Sequence, residues 1–349
     1  MSSDRSEPLL RVPPFPGARV TSFARGSDKL ELSDDQIDRL MADLKLLRVG
    51  GDYWEQQPDL PDGPYVLVAT ADAVQGEAVA RRIADGAPVL CWNRGPCDPW
   101  HLMSRVNHAV VDADDEIGLI AAIAGVPVTC IGEGPLSALE HDRVDRGTSL
   151  RRLFRDAIGD ADYLDPFTGE RLSVGEAIRL CGFWREMIAA NRDIRAAIGF
   201  GFWKRPTVAP LLWAGCEVPF ESSAAGQCRN GAVAVWKSRT PPTVLEELGR
   251  SNARLIEVED GFIRSIGLGA DCVPPLSVIA DPVGIYFDPA GPSLLEQLMQ
   301  SGDFAPELLQ RARELRELIV SSGVSKYGAG SAAVFRRRTD RSHILVPGQ

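Results

Sequence analysis

The segment Val258-Glu259-Asp260-Gly261-Phe262-Ile263-Arg264-Ser265 holds two adjacent carboxylates, a glycine, and an arginine four residues after the aspartate. At the carboxyl end of a parallel strand, such a set supplies an acid or base, a sharp backbone turn and an anion clamp on one cleft rim. The competing reading of the same residues is a turn acid paired with Arg264. Two further stretches mix aromatic rings with cations: Trp203-Lys204-Arg205 with Trp213, and Trp236-Lys237-Ser238-Arg239. Such groups stack on sugar rings or bind a phosphate, whereas a tryptophan ending a strand more often serves a core. Ser325-Lys326-Tyr327-Gly328 offers another cation near that rim, or a helix C-terminal cap. Gly267-Leu268-Gly269 reads as a turn, since a lone GxG is a weak phosphate signal.

Other chemistries are disfavoured. Seven cysteines are scattered without a CxxC pair and read as reduced thiols, and the histidines (His101, His108, His141, His343) form no HxH or HxxxH arrangement. Neither a metal nor a cofactor is expected. The 349 residues carry 38 Lys+Arg against 48 Asp+Glu, a net charge of −10. That balance argues against a nucleic-acid partner, and the one dense basic run, Arg336-Arg337-Arg338, reads as a solvated turn before a strand. No stretch approaches the roughly 18 apolar residues that span a bilayer, and the first residues lack a signal-peptide pattern, so a cytoplasmic location is expected.

The elements that must position these groups follow from periodicity. Residues 1–60 are rich in Pro, Gly and charge and read as an arm, with one helix opened by Ser33 and carrying Ile37, Leu40, Met41 and Leu44 on one face. From residue 61 strand and helix alternate: strands over 65–70, 87–91, 108–111 and 126–131, with helices over 75–84 and 116–124. Alternation of this kind predicts an α/β fold with a parallel sheet. Residues 148–200 carry helical periodicity and read as a connecting layer around a turn at Asp165–Gly169. A second α/β unit begins near residue 201, with strands over 232–236 and 254–258, a helix over 243–251, a hairpin over 276–280 and 284–287, and helices over 293–301 and 306–322. The chain ends on a strand entering a loop at Ile344-Leu345-Val346-Pro347-Gly348-Gln349, which reads as a fragment or a shortened relative of something longer.

The run 258–269, then Val273-Pro274-Pro275-Leu276-Ser277-Val278, Gly284-Ile285-Tyr286-Phe287-Asp288, Pro292-Ser293-Leu294-Leu295-Glu296, Ser325-Lys326-Tyr327 and the terminal Ile344–Gln349 stretch closely resembles the KpsC/LipB capsular polysaccharide family. The resemblance covers about residues 200–349 well. It extends more faintly over 106–200, through Ala124-Gly125-Val126-Pro127-Val128-Thr129-Cys130 and the segment Tyr163–Glu170.

The resemblance implies Rossmann-like β-α-β halves of GT-B type and a retaining β-Kdo transferase. Such an enzyme takes CMP-Kdo to a lysophosphatidylglycerol-linked acceptor on the cytoplasmic face of the inner membrane. After the arm (1–60), it further implies the end of a first transferase module (61–200) and the acceptor-side start of a second (201–349). Glu259 and Asp260 are then the expected catalytic acids. Gly261, Arg264, Ser265, Lys326 and Tyr327 are the expected substrate contacts, with Arg264 and Lys326 meeting the carboxylate or phosphate. Retaining transfer by double displacement needs a nucleophile as well as an acid/base. The family's carboxylate nucleophile and nucleotide-binding half would follow Gln349. In the first module the donor-holding segment is replaced by Asp112-Ala113-Asp114-Asp115-Glu116-Ile117-Gly118-Leu119-Ile120, and residues 66–74 resemble a remnant of that module's nucleophile strand, in which Asp72 reads equally as the carboxylate or as a helix cap. A rival reading is therefore a non-catalytic capsule-assembly or export subunit that binds glycolipid or a partner Kdo transferase.

Overall fold

The computed structural model describes residues 8–17, 23–25, 31–92, 95–141, 145–158, 163–222, 231–251, 253–264 and 272–323. The chain divides into two units, Met1–Ile194 with Ala209–Pro219, and Arg195–Val208 with Phe220–Gln349.

In the first unit, Tyr65-Val66-Leu67-Val68-Ala69 is apolar at every position, the pattern of a strand covered on both faces. Its elements run β1 (Ala24–Arg25), α1 (Asp34–Leu47), β2 (Tyr65–Ala69), α2 (Ala73–Ile83), β3 (Val89–Cys91), α3 (Pro99–Leu102), β4 (Val106–Asp112), α4 (Glu116–Ala124), β5 (Val128–Ile131), α5 (Ala138–His141), α6 (Arg146–Ile158), β6 (Tyr163–Leu164), β7 (Arg171–Leu172) and α7 (Val174–Asn191). The main sheet has order β3-β2-β4-β5, and all its pairings are parallel. Alternate residues of β2 and β4 enter opposite cores: Tyr65, Leu67, Ala69, Ala109 and Val111 one side, Val66, Val68 and Val110 the other. A small antiparallel sheet, β1-β6-β7, closes over the Asp165–Gly169 turn.

The arm joins the larger core through buried Leu9, Leu10, Val12 and Phe15. Helix α1 starts at Ser33, whose Oγ accepts from the Gln36 N–H while the Ser33 N–H donates to the Gln36 side chain. Arg151 of α6 grips Asp38 of α1 with two hydrogen bonds, 2.8 and 2.7 Å. Behind them, the α7 side chain Arg185 makes a bidentate ion pair with Asp98, which is fully buried.

The chain continues with β8 (Ile194–Ile198), α8 (Arg205–Leu212), β9 (Phe220–Glu221), β10 (Ala232–Val235), α9 (Pro242–Arg250), β11 (Arg254–Asp260), β12 (Val278–Asp281), α10 (Leu294–Ser301) and α11 (Pro306–Ser321), of which all but Ile194 and the Ala209–Leu212 half of α8 belong to the second unit. The sheet of the second unit has order β12-β11-β10-β8-β9; β8–β9 and β10–β11 are parallel, and β12 runs antiparallel to β11. Ala196, Ile198, Val233 and Val235 pack under Leu248 of α9.

Three expectations need correction. Residues 194–198 lie within the stretch that periodicity reads as a helical layer, yet they form β8. Ile-Arg-Ala-Ala-Ile has no strong β preference of its own, and burial between β10 and β9 decides its state. The hairpin over 276–287 is absent because Asp281 accepts from the Val283, Gly284 and Leu294 N–H groups, while the Ile285 N–H donates to the Glu257 carboxylate. These side-chain acceptors replace the partner strand that 284–287 would otherwise need. Trp213, grouped by sequence with Trp203-Lys204-Arg205, belongs to the core of the first unit, where it packs edge-on against Phe15.

Candidate functional site

Strand β11 ends in charge because its alternating residues face different surroundings. Ile256 and Val258 are buried, while Glu257 and Glu259 share the other face. Lys237, just past β10, donates to Glu257 at 2.7 Å and to Asp288 at 2.5 Å. Burial opposes the charge of Lys237, but the hydrogen bonds to Asp288 and Glu257 outweigh it and hold the ammonium pKa above its ordinary value. The same contact lowers the pKa of Asp288. Ser238 donates to Glu259 Oε2 at 3.1 Å, and the Asp260 N–H donates to the other Glu259 oxygen.

Asp260 is held differently. Lys204 Nζ lies 3.2 Å from its Oδ1, and Arg264 Nε donates to its Oδ2 at 2.8 Å. Arg264 is 4% exposed and also donates to the Val273 carbonyl, so the guanidinium pins the loop after β11. Gly261 permits the turn: its N–H donates to the Ser277 carbonyl, and a Cβ there would sit 2.1 Å from Ser277 Oγ. Burial pushes the Lys204 pKa down, and Asp260 partly restores it.

Lys204 also closes a pocket of about 500 Å³ at the C-terminal ends of β8 and β10. Its Nζ sits 3.2 Å from the centroid of the Trp236 indole and 5.1 Å from that of Trp203. The Trp236 N–H donates to the Ile198 carbonyl, which brings the two strand ends side by side. Between β8 and β10 the chain order reverses, with β9 on one side of β8 and β10 on the other. Ligands of open α/β sheets bind at such switch points. Gly199, at φ +85°, makes the approach possible, since a Cβ there would fall 2.2 Å from Thr240 Oγ1.

The structure therefore brings together Glu259, Asp260, Gly261 and Arg264, and adds Lys204, Ser238 and Trp236 from the two aromatic-cation stretches. Ser265, Lys326 and Tyr327, like Gly267-Leu268-Gly269 and Arg336-Arg337-Arg338, lie outside the described residues. Sequence reasoning missed the Gly199-Phe200-Gly201 turn. Its signal is a GxG directly ahead of Trp203-Lys204-Arg205, hidden while 194–198 reads as helix.

The first unit has its own switch point, between β2 and β4, and its cleft of about 420 Å³ is acidic. Asp112 accepts from Thr70 Oγ1 and from the Ala71 N–H, and Asp115 accepts from the Ile117 N–H at the start of α4. Arg11 of the arm bridges Asp52 and Glu116, at 2.5 and 2.6 Å. Burial nevertheless pushes the Glu116 pKa up to about 7. Asp72 caps α2 by accepting from the Gln75 N–H, and Ile120 is a core residue. Among the described residues, no group of three or more His, Cys, Asp or Glu side chains is arranged to hold a metal ion, and no helix is long and apolar enough to cross a membrane.

Residues 231–332, which hold β10, β11 and the acidic strand end, match the family described as capsule polysaccharide biosynthesis protein. The capsule polysaccharide modification protein LipA of Neisseria meningitidis serogroup B is 29% identical over 272 residues, covering 72% of this chain and 38% of the relative. The lipopolysaccharide-processing protein LpsZ of Rhizobium meliloti is 44% identical over 104 residues, 29% of this chain and 24% of that protein. Among solved structures, the KpsC β-Kdo 2,4 transferase of Thermosulfurimonas dismutans is similar at 33% identity and TM-score 0.31, over 38% of this chain and 41% of that one. Over residues 231–332 the chain thus resembles proteins of the capsule polysaccharide class. It is similar to KpsC/LipB-like capsule proteins, and it covers 38% of the length of the curated LipA relatives.

Proposed function

We propose that the protein acts in β-Kdo transfer from CMP-Kdo onto a Kdo-bearing, lysophosphatidylglycerol-linked acceptor. In this reading residues 201–349 are the acceptor side of a transferase module and 61–200 the end of a preceding one. The observation that carries it is the acidic end of β11, Glu259 beside Asp260, set against a pocket with aromatic and cationic walls at the switch point of one sheet. Glu259 is the carboxylate left to meet a sugar hydroxyl, as the acid/base or as the acceptor contact. Asp260, with an oxygen on each of Lys204 and Arg264, positions the loop and holds the two cations at the rim. Ser265, Lys326 and Tyr327 are proposed as further substrate contacts. The protein works in the cytoplasm, peripheral to the inner membrane.

One observation favours a second reading, a glycolipid-binding capsule-assembly or export subunit working with a partner Kdo transferase. The cleft of the first unit presents Asp52, Asp112, Asp115 and Glu116, a set that repels a nucleotide phosphate. The deciding experiment supplies the chain with CMP-Kdo, generated in situ, and a Kdo-capped glycolipid acceptor, and follows product by mass spectrometry. An acceptor extended by one Kdo supports transfer. Saturable acceptor binding without product supports the second reading, and neither binding nor product contradicts both.

A further inference from the structure

The two arginines that line the switch-point pocket of the second unit are exposed, and neither has a carboxylate or hydrogen-bonding side-chain partner among the described residues. Arg205 lies over the Phe220 ring, 5.5 Å from its centroid. Arg239 stands across the pocket on the turn after Trp236. The third cation, Lys204, is already matched by Asp260. Among the described residues, Glu221 is the one carboxylate in the wall. The pocket thus keeps a surplus positive charge in a chain whose net charge is −10, whereas the corresponding cleft of the first unit is lined by acids.

We propose that this pocket is a subsite for the anionic group of a sugar, with Arg205 and Arg239 taking the charge and the half-buried Trp203 indole packing against the ring. The proposal deepens the reading of the second unit as a saccharide site and rests on it. Guanidinium groups match a carboxylate or a phosphate with paired hydrogen bonds, which a neutral hydroxyl does not repay. Glu221 and Ser222 supply acceptors for ring hydroxyls. A volume of about 500 Å³ suits a small ligand. Lys204 forms part of this pocket and touches Asp260, so a sugar anchored here lies against the acidic end of β11. The anion is either a sugar-acid carboxylate or a phosphate, and the two sources are separable.

The test is titration of the whole chain, followed by tryptophan fluorescence and calorimetry, with free Kdo, glucose 1-phosphate, CMP and methyl glucoside. Saturable binding of Kdo, with glucose 1-phosphate at least tenfold weaker, assigns the carboxylate; the reverse order assigns the phosphate. Arg205→Gln with Arg239→Gln weakens the preferred ligand by tenfold or more, the scale of one lost charged hydrogen bond. Trp203→Ala weakens it too, while Trp203→Phe retains most of the affinity. Both arginines are exposed, and an unchanged circular dichroism melt separates lost binding from lost folding. Equal affinity for methyl glucoside, tighter binding of CMP than of either sugar anion, or an unaltered double variant overturns the proposal. Binding is read without turnover. A Glu259→Gln protein that still binds Kdo, in a chain that never transfers, would leave the subsite standing and remove the transferase reading; transfer that survives the double arginine variant would do the opposite.

Discussion

Lys204 Nζ donates to Asp260 Oδ1 at 3.2 Å, across 56 positions of sequence. This one bond joins the turn after β8 to the end of β11, and so ties the sugar-sized pocket to the acidic pair. Its energetics are unusual for a surface rim, because the lysine is 8% exposed and its charge is also shared with the Trp236 ring.

Removing that ammonium leaves Asp260, among the described residues, with Arg264 as its side-chain partner and uncovers the indole. Lys204→Met is expected to destabilise the second unit by about 1–3 kcal/mol, the scale of a charged hydrogen bond with its cation–π contact. Urea unfolding followed by tryptophan fluorescence reads the loss. A change below about 0.5 kcal/mol would mean that the contact does not hold the two segments together.

Gly199 offers a steric test of the same junction. With φ at +85° and Thr240 Oγ1 2.2 Å and the Trp236 carbonyl oxygen 2.8 Å from the site of any Cβ, Gly199→Ala must displace the Trp236–Thr240 turn that follows β10. A loss of about 2 kcal/mol or more is expected, from the left-handed backbone strain and the clash together. A melting temperature within 1–2 °C of the parent, about the shift of a few tenths of a kcal/mol in a protein of this size, would refute the close approach of β8 and β10.

In the first unit, Asp98 is fully buried and accepts from Arg185, from Gln57, and from the Trp100 and His101 N–H groups. Asp98→Ala strands the buried Arg185 guanidinium, and a loss of about 3–5 kcal/mol is expected. Double substitution with Arg185→Met should recover part of it. A double-variant loss equal to the sum of the two single losses would show that the pair is not coupled.

Glu116 makes the first unit sensitive to pH. Its folded pKa, about 7, lies above the ordinary 4.5, so the folded state holds a proton between those values that the unfolded chain has released. The stabilisation is complete below about pH 4.5 and is lost as pH rises through 7, by up to about 3 kcal/mol. Burial dominates, Arg11 opposes it, and Asp52 and Asp115 reinforce it. Glu116→Gln should flatten that part of the stability profile. A wild-type profile rising from pH 5 to 7.5, with no difference in the variant, would contradict the assignment.

Much of the architecture is written in local pattern. β2 and β10 are continuous apolar runs that only a sheet covered on both faces accommodates, and the side-chain caps Ser33, Asp72 and Asp115 mark the starts of their helices. The Asp260–Arg264 contact is also local, four residues apart across a turn. What escapes is non-local. β8 has a helix-tolerant composition and becomes a strand only between β10 and β9, and with it the Gly199-Phe200-Gly201 turn goes unrecognised. The strand expected at 284–287 fails because Asp281 and Glu257 side chains intercept its N–H groups. No spacing rule pairs Lys204 with Asp260, since only the sheet order brings their strands' ends together.

The most direct test of the central claim compares Glu259→Gln with Asp260→Asn in the same Kdo-transfer assay, with stability measured in parallel. The account predicts that Glu259→Gln folds normally and loses at least a hundredfold in rate, as expected when a general acid or base is removed. Asp260→Asn should lower stability and weaken acceptor binding, with a smaller effect on turnover. Turnover by Glu259→Gln at the parental rate would contradict the assignment of the β11 strand end as the reacting site.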